Sequence, residues 1–158
     1  MKRIRIFLDT SVISHLDHSD RPDWTMETLR LWDILMTNKY DVFISSAVLR
    51  ELDKCTGSKR NLIFDYLAKI EYNLIEINKS IEVIAEEIIN LNILTSKHLT
   101  DCLHIGAAIH SNCKYLISWN FDDLVNIDTN DGVRMITHML HYPSIDIISP
   151  YSLRTKED

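Results

Sequence analysis

The strongest constraint on this chain is an alternation: short apolar, β-prone runs stop abruptly at a polar residue, and each is followed by a stretch with helical spacing. Ile4-Arg5-Ile6-Phe7-Leu8 ends at Asp9-Thr10-Ser11, and Asp41-Val42-Phe43-Ile44 ends at Ser45-Ser46. Leu74-Ile75-Glu76-Ile77 and Tyr115-Leu116-Ile117-Ser118 are the next strand candidates, with Asp146-Ile147-Ile148 a weaker fifth. Between them, helical spacing of apolar residues runs from Trp24 to Asn38, after the Ser45-Ser46 cap, from Ser58 to about Ile70, from Ser80 onward, and from Leu99 to His110. Strands separated by helices need crossover connections. The pattern therefore predicts an α/β fold, three-layer α/β/α, with a central parallel sheet of four to five strands.

At 158 residues and 46% hydrophobic content, the chain suits a single domain over 1–158 with one continuous core. Its three Gly and three Pro form no linker between separately folding halves. No segment is apolar for long enough to cross a bilayer, and MKRIRIFLDTS reaches an aspartate before a signal-peptide core could form, so a cytoplasmic protein with no membrane partner is expected. Cys55, Cys102 and Cys113 are odd in number and lack CxxC spacing, which argues against a disulfide framework and a cysteine zinc site. A net charge of −6 rules out the broad basic footprint of a tight DNA binder, so any nucleic-acid role needs local cations.

Polar residues interrupt otherwise core-like sequence at Asp9, Glu51, Asp101 and Asn120. Singly, the three acids have plain structural readings: a turn aspartate after a strand, a solvated helix glutamate facing Lys54, and a first-turn helix carboxylate. In open parallel sheets, however, the reactive crevice lies beyond the carboxyl ends of the strands, where Asp9, Ser45 and Ser118 are expected. Three carboxylates converging there would repel, and a hard divalent cation with oxygen ligands, Mg²⁺ or Mn²⁺, would remove the repulsion. A helix opening at Asn120 would put Asp123 one turn further out on the same side.

The order of these segments resembles the PIN-domain ribonucleases, which include the VapC-type toxins of bacterial toxin–antitoxin pairs. FLDTSVI matches the first motif, with Asp9, Thr10 and Ser11; ISSAVLREL the second, with Glu51; LTDCLHIGAAI the third, with Asp101; and YLISWNFDDL the fourth, with Ser118, Asn120 and Asp123. The resemblance spans nearly the whole chain and implies a metal-dependent endoribonuclease. It implies catalytic roles for Asp9, Glu51, Asp101 and Asn120, a Mg²⁺ or Mn²⁺ site formed by these four with Asp123, an RNA substrate, a cognate antitoxin protein as partner, and a homodimer. Many relatives carry aspartate where this chain has Asn120, which brings a carbonyl but no charge. That departure keeps open a second reading, a non-catalytic PIN-like module that binds RNA or protein.

Other residues carry two readings each. Ser11, Ser118 and Thr10 are helix caps or holders of a phosphate oxygen or water. His104 reads as a hydrogen-bonded core or crevice histidine rather than a ligand, and His138 with His141 as a chance pair. Trp119 and Phe121 either stack bases or pack a wall. Arg50, Lys54, Lys59 and Arg60 are either a phosphate-attracting cluster or a solvated helix face. A haloacid-dehalogenase-type reading lacks the second aspartate, since Ser11 stands there, and no Gly-rich phosphate loop is present.

Overall fold

The apolar runs become the strands of one sheet. The computed structural model describes residues 2–154; residues 1 and 155–158 of the expected 1–158 domain lie outside the described residues. Strands β1 (Ile4–Leu8), β2 (Tyr40–Ser45), β3 (Asn73–Ile75), β4 (Tyr115–Ile117) and β5 (Asp146–Ile148) pair in parallel in the order β3-β2-β1-β4-β5. In the central strand Ile6, Phe7 and Leu8 are all fully buried. A strand covered on both faces needs such an unbroken apolar run rather than alternation.

The helices are α1 (Thr10–Ser14), α2 (Pro22–Leu35), α3 (Ser46–Leu52), α4 (Gly57–Leu67), α5 (Lys79–Asn90), α6 (Leu99–His110) and α7 (Ile127–Met139). They lie on both sides of the sheet. Right-handed crossovers put α2 and α4 on one face and α5, α6 and α7 on the other. Trp32 Nε1 on α2 donates to the Tyr66 carbonyl of α4 at 2.8 Å, tying the first pair. Helices α5 and α6 pack closely because Gly106 has no side chain: a Cβ there would sit 2.9 Å from the Ile81 carbonyl oxygen. Asn92, Asn112 and His141 adopt positive φ just past α5, α6 and α7, where the residue after each bonds back over five positions and stops the helix.

The expected elements differ mainly at their ends. β3 stops at Ile75, and the Ile77 N–H instead reaches Ser46 Oγ at 3.3 Å. α2 begins earlier than expected, at Pro22, whose ring suits a first helical turn. The helix expected at Asn120 does not form: Leu124 N–H bonds the Asn120 carbonyl for one turn, and the chain then bends. The next helix, α7, opens at Ile127, where the Asn126 side chain accepts the Thr129 N–H at 2.7 Å.

The chain runs outward from β1 to β2 and β3, then returns to place β4 on the other side of β1. The reversal falls between β1 and β4. Their carboxyl ends open onto Asp9 and Ser118, and the Asp9 N–H to Ile117 carbonyl bond (3.0 Å) pins one to the other. Among the described residues no helix is long and apolar enough to cross a membrane.

Candidate acidic active site

Asp9 is the first residue past β1 and is 3% exposed. It stands at the N-cap position of α1, yet its side chain makes no cap bond there. Its Oδ2 instead accepts from Ser11 Oγ at 2.7 Å and Ser118 Oγ at 2.8 Å. A hydroxyl has one proton to give and lone pairs left to accept. Ser11 Oγ accepts the Trp119 N–H and Ser118 Oγ the Asn120 N–H, each at 2.9 Å. Both serines therefore orient Asp9 by backbone-anchored hydroxyls, a role that neither capping nor phosphate holding describes. This leaves Asp9 Oδ1 3.8 Å from His104 Nε2.

Glu51 projects from α3, a short helix whose N-terminus is fixed by Ser45 Oγ accepting the Val48 N–H. Glu51 Oε1 accepts from Thr10 Oγ1 at 2.5 Å and from His104 Nε2 at 2.7 Å. His104, on α6, is 1% exposed, and its Nδ1 has no hydrogen-bond partner among the described residues. Burial alone would lower its pKa. The Glu51 hydrogen bond and the charges of Asp9, Glu51 and Asp101 outweigh burial, so the pKa is raised. For Glu51, burial pushes upward, but the hydrogen bonds from His104 and Thr10 prevail and hold its carboxyl below the usual value. His104 is thus the hydrogen-bonded crevice histidine expected, and it lies between two of the candidate acids.

Asp101 stands in the first turn of α6, half-buried, with its pKa raised by burial and then by the negative charge of Asp9. His98, in the 3₁₀ turn Ser96–His98 just before α6, approaches Asp101 Oδ2 at 3.5 Å through Nδ1 and Asp123 Oδ1 at 3.6 Å through Nε2. These spacings are electrostatic contacts rather than hydrogen bonds. Among the described residues, His98, Asp101 and Asp123 form a group whose ligand atoms all lie within 4.8 Å of one another. Asn120 is half-buried, and its Oδ1 accepts the Asp123 N–H at 3.1 Å, so its carbonyl shapes the turn that carries Asp123.

The acids thus gather around two imidazoles: Asp9 and Glu51 about His104, Asp101 and Asp123 about His98. No family profile and no curated protein matches the sequence. Solved structures do match it. A chain of VapBC2 from Rickettsia felis, bound to a DNA fragment from the promoter, superposes with TM-score 0.59 at 17% identity, covering 92% of this chain and 98% of that one. VapC20 from Mycobacterium tuberculosis, a sarcin-ricin loop cleaving toxin, superposes with TM-score 0.56 at 17% identity, covering 74% and 91%. The chain has the fold of VapC20 and of the matched VapBC2 chain.

On that VapC fold, sequence reasoning missed His98. Its signal was spacing, three residues before Asp101 in KHLTD, which brings it to the helix mouth. Trp119 is a wall residue, 2% exposed, with Nε1 donating to Thr28 Oγ1 at 2.9 Å, whereas Phe121 is 40% exposed. The basic cluster divides: Arg60 pairs with Asp53 at 3.0 Å, Arg50 lines a groove with Glu82 and Glu86, and Lys59 lines a pocket with His18, Asp17 and Asp20.

Proposed function

We propose that this chain is a divalent-metal-dependent endoribonuclease that hydrolyses RNA phosphodiester bonds and serves as the toxin of a toxin–antitoxin pair. The observation that supports the reading is the approach of Asp9 and Glu51 to His104 at the carboxyl ends of β1 and β4, with Asp101, beside His98, near enough for its charge to act on both Asp9 and His104. The VapC fold supports it, VapC20 being described as a toxin that cleaves the sarcin-ricin loop. The VapBC2 likeness supports an antitoxin partner, and the family resemblance of the sequence motifs is the basis for proposing a homodimer. The donor set suits Mg²⁺ or Mn²⁺: carboxylate oxygens predominate, and the Asp101 pKa is raised first by burial and then by the Asp9 charge. Asp9, Glu51 and Asp101 would hold the ion, with Asp123 beside them and Asn120 shaping the turn. Bound there, the ion supplies charge neutralisation at the phosphodiester and a lowered pKa for a water.

The protein's own part is positioning. Ser11 and Ser118 fix Asp9, while Thr10 and His104 fix Glu51. His104 Nε2 keeps a proton between Glu51 and Asp9, which limits repulsion before a cation arrives. That same imidazole, with the commitment of Asn120 Oδ1 to the turn, favours the second reading, a binding module without cleavage. Incubating structured and single-stranded RNA with the purified chain in Mn²⁺ separates the two. Cleavage that EDTA and Asp9→Asn both abolish supports the nuclease; cleavage persisting in Asp9→Asn removes it.

A further inference from the structure

Beside the acidic pocket stands a ladder of flat side chains that the proposed cleavage chemistry does not use. Trp119 stacks on Trp24, with centroids 4.6 Å apart and planes 8° from parallel. The Arg21 guanidinium lies over the Trp24 ring, 3.6 Å from its centroid. Trp119 is 2% exposed and the Arg21 side chain 44%, so the ladder runs from the core wall to solvent. Asp23 fixes the guanidinium with two bonds, Nε to Oδ1 at 3.3 Å and Nη2 to Oδ2 at 3.1 Å. The exposed Phe121 ring tilts toward Trp24 at 5.7 Å. The His15 ring lies 5.3 Å from Trp24, tilted to it, and stacks on His18 at 4.4 Å. The ladder adjoins the pocket directly, since the Trp119 N–H donates to the Ser11 hydroxyl that holds Asp9.

We infer that this ladder is a subsite for an unpaired RNA base, which stacks on the outer face of the Arg21 guanidinium with Phe121 at its edge; this rests on the ribonuclease reading above. A guanidinium already held flat by Trp24 and Asp23 loses little freedom when a base covers it. Stacking on aromatic and guanidinium planes tolerates any base, but the base must be out of a helix, so the substrate class is RNA single-stranded or looped near the cut. Arg21 is paired with Asp23, and Lys59 shares its pocket with Asp17 and Asp20, so the stacking plane rather than local charge recruits the base.

The test compares two probes of equal phosphate content, a short oligouridylate and its abasic counterpart, titrated into the full chain in EDTA with tryptophan fluorescence as readout. The wild type should bind the oligouridylate about fivefold tighter or more. Arg21→Lys keeps the charge but not the plane and should bring the ratio toward one; Phe121→Leu should shrink it. Equal binding of the two probes by the wild type, or an undiminished ratio in Arg21→Lys, overturns the inference and leaves a face for a protein partner. Mn²⁺-dependent hydrolysis of bis(p-nitrophenyl) phosphate by the wild type tests the nuclease reading separately. A base preference without hydrolysis keeps the subsite and removes cleavage, and hydrolysis without a base preference does the reverse.

Discussion

Replacing Ser118 by alanine should cost far more than the loss of one small hydroxyl suggests. Ser118 is fully buried; its Oγ donates to Asp9 Oδ2 at 2.8 Å and accepts the Asn120 N–H at 2.9 Å. A hydrogen bond to an ionised partner contributes about 1.5–3 kcal/mol, and a donor left without an acceptor costs about 1–3 kcal/mol. The two are not additive, because Ser11 still holds Oδ2 and water can reach the half-buried Asn120. The expected loss is about 2–4 kcal/mol, or a melting temperature lower by about 5–15 °C in a domain of this size. Urea denaturation of wild type, Ser11→Ala, Ser118→Ala and the double variant measures it. The two serine hydroxyls lie 3.3 Å apart on one carboxylate oxygen, so the double variant should depart from additivity by at least about 0.5 kcal/mol. A Ser118→Ala loss under about 0.5 kcal/mol, or strict additivity, would refute the account of how Asp9 is held.

Asp101→Asn should raise the melting temperature in metal-free buffer at neutral pH. Burial and the Asp9 charge raise the Asp101 pKa, so its ionised form opposes folding, and the gain should vanish as pH falls through the raised value; a variant less stable at neutral pH contradicts this. His104→Gln should lose stability most at low pH. The raised His104 pKa makes its contribution complete below the unfolded value near about 6.5 and lost as pH rises through the folded value, so a pH-independent difference in urea unfolding would sink the ion pair with Glu51. Asn120→Asp keeps the acceptor for the Asp123 N–H and adds charge, so calorimetry should find tighter Mn²⁺ binding, whereas Asn120→Ala should lose about 0.5–2 kcal/mol with the turn bond; weaker Mn²⁺ binding by Asn120→Asp would exclude it from the site.

The sheet was legible because its strands are buried on both faces, which forces near-continuous runs such as Ile6-Phe7-Leu8 that no helical period explains. α6 was legible to the residue, since Cys102 and Ile105 to Ile109 are all buried and leave little room for polar positions. α7 was not legible. Its sequence, IDTNDGVRMITHM, mixes loop-favouring Asn, Asp and Gly into a helix, and Gly132 is there because the Ile93 side chain occupies the space a Cβ would need. The helix placed at Asn120 failed for a related reason. Asn120 and Asn126 each accept an N–H three residues on, the same local signal, and only the second is followed by a sustained helix.

Among the candidate site residues, Asp9, Glu51 and Asp101 could be read as interruptions of apolar sequence, but what surrounds them could not. The serine pair on Asp9 joins residues 107 positions apart, and Thr10 meets Glu51 across 41, contacts that no local pattern encodes. His104 looked like core because its neighbours are core; only the fold reveals that its Nε2 points at two acids.

Crystals of the full chain soaked in Mn²⁺, with anomalous diffraction collected at the metal edge, test most directly whether this acidic pocket exists to bind a cation. The account predicts an anomalous peak coordinated by Asp9 Oδ1 together with Glu51 or Asp101. A pocket without a peak, or a peak confined to His98 and Asp123 with Asp9 still facing His104, would contradict it.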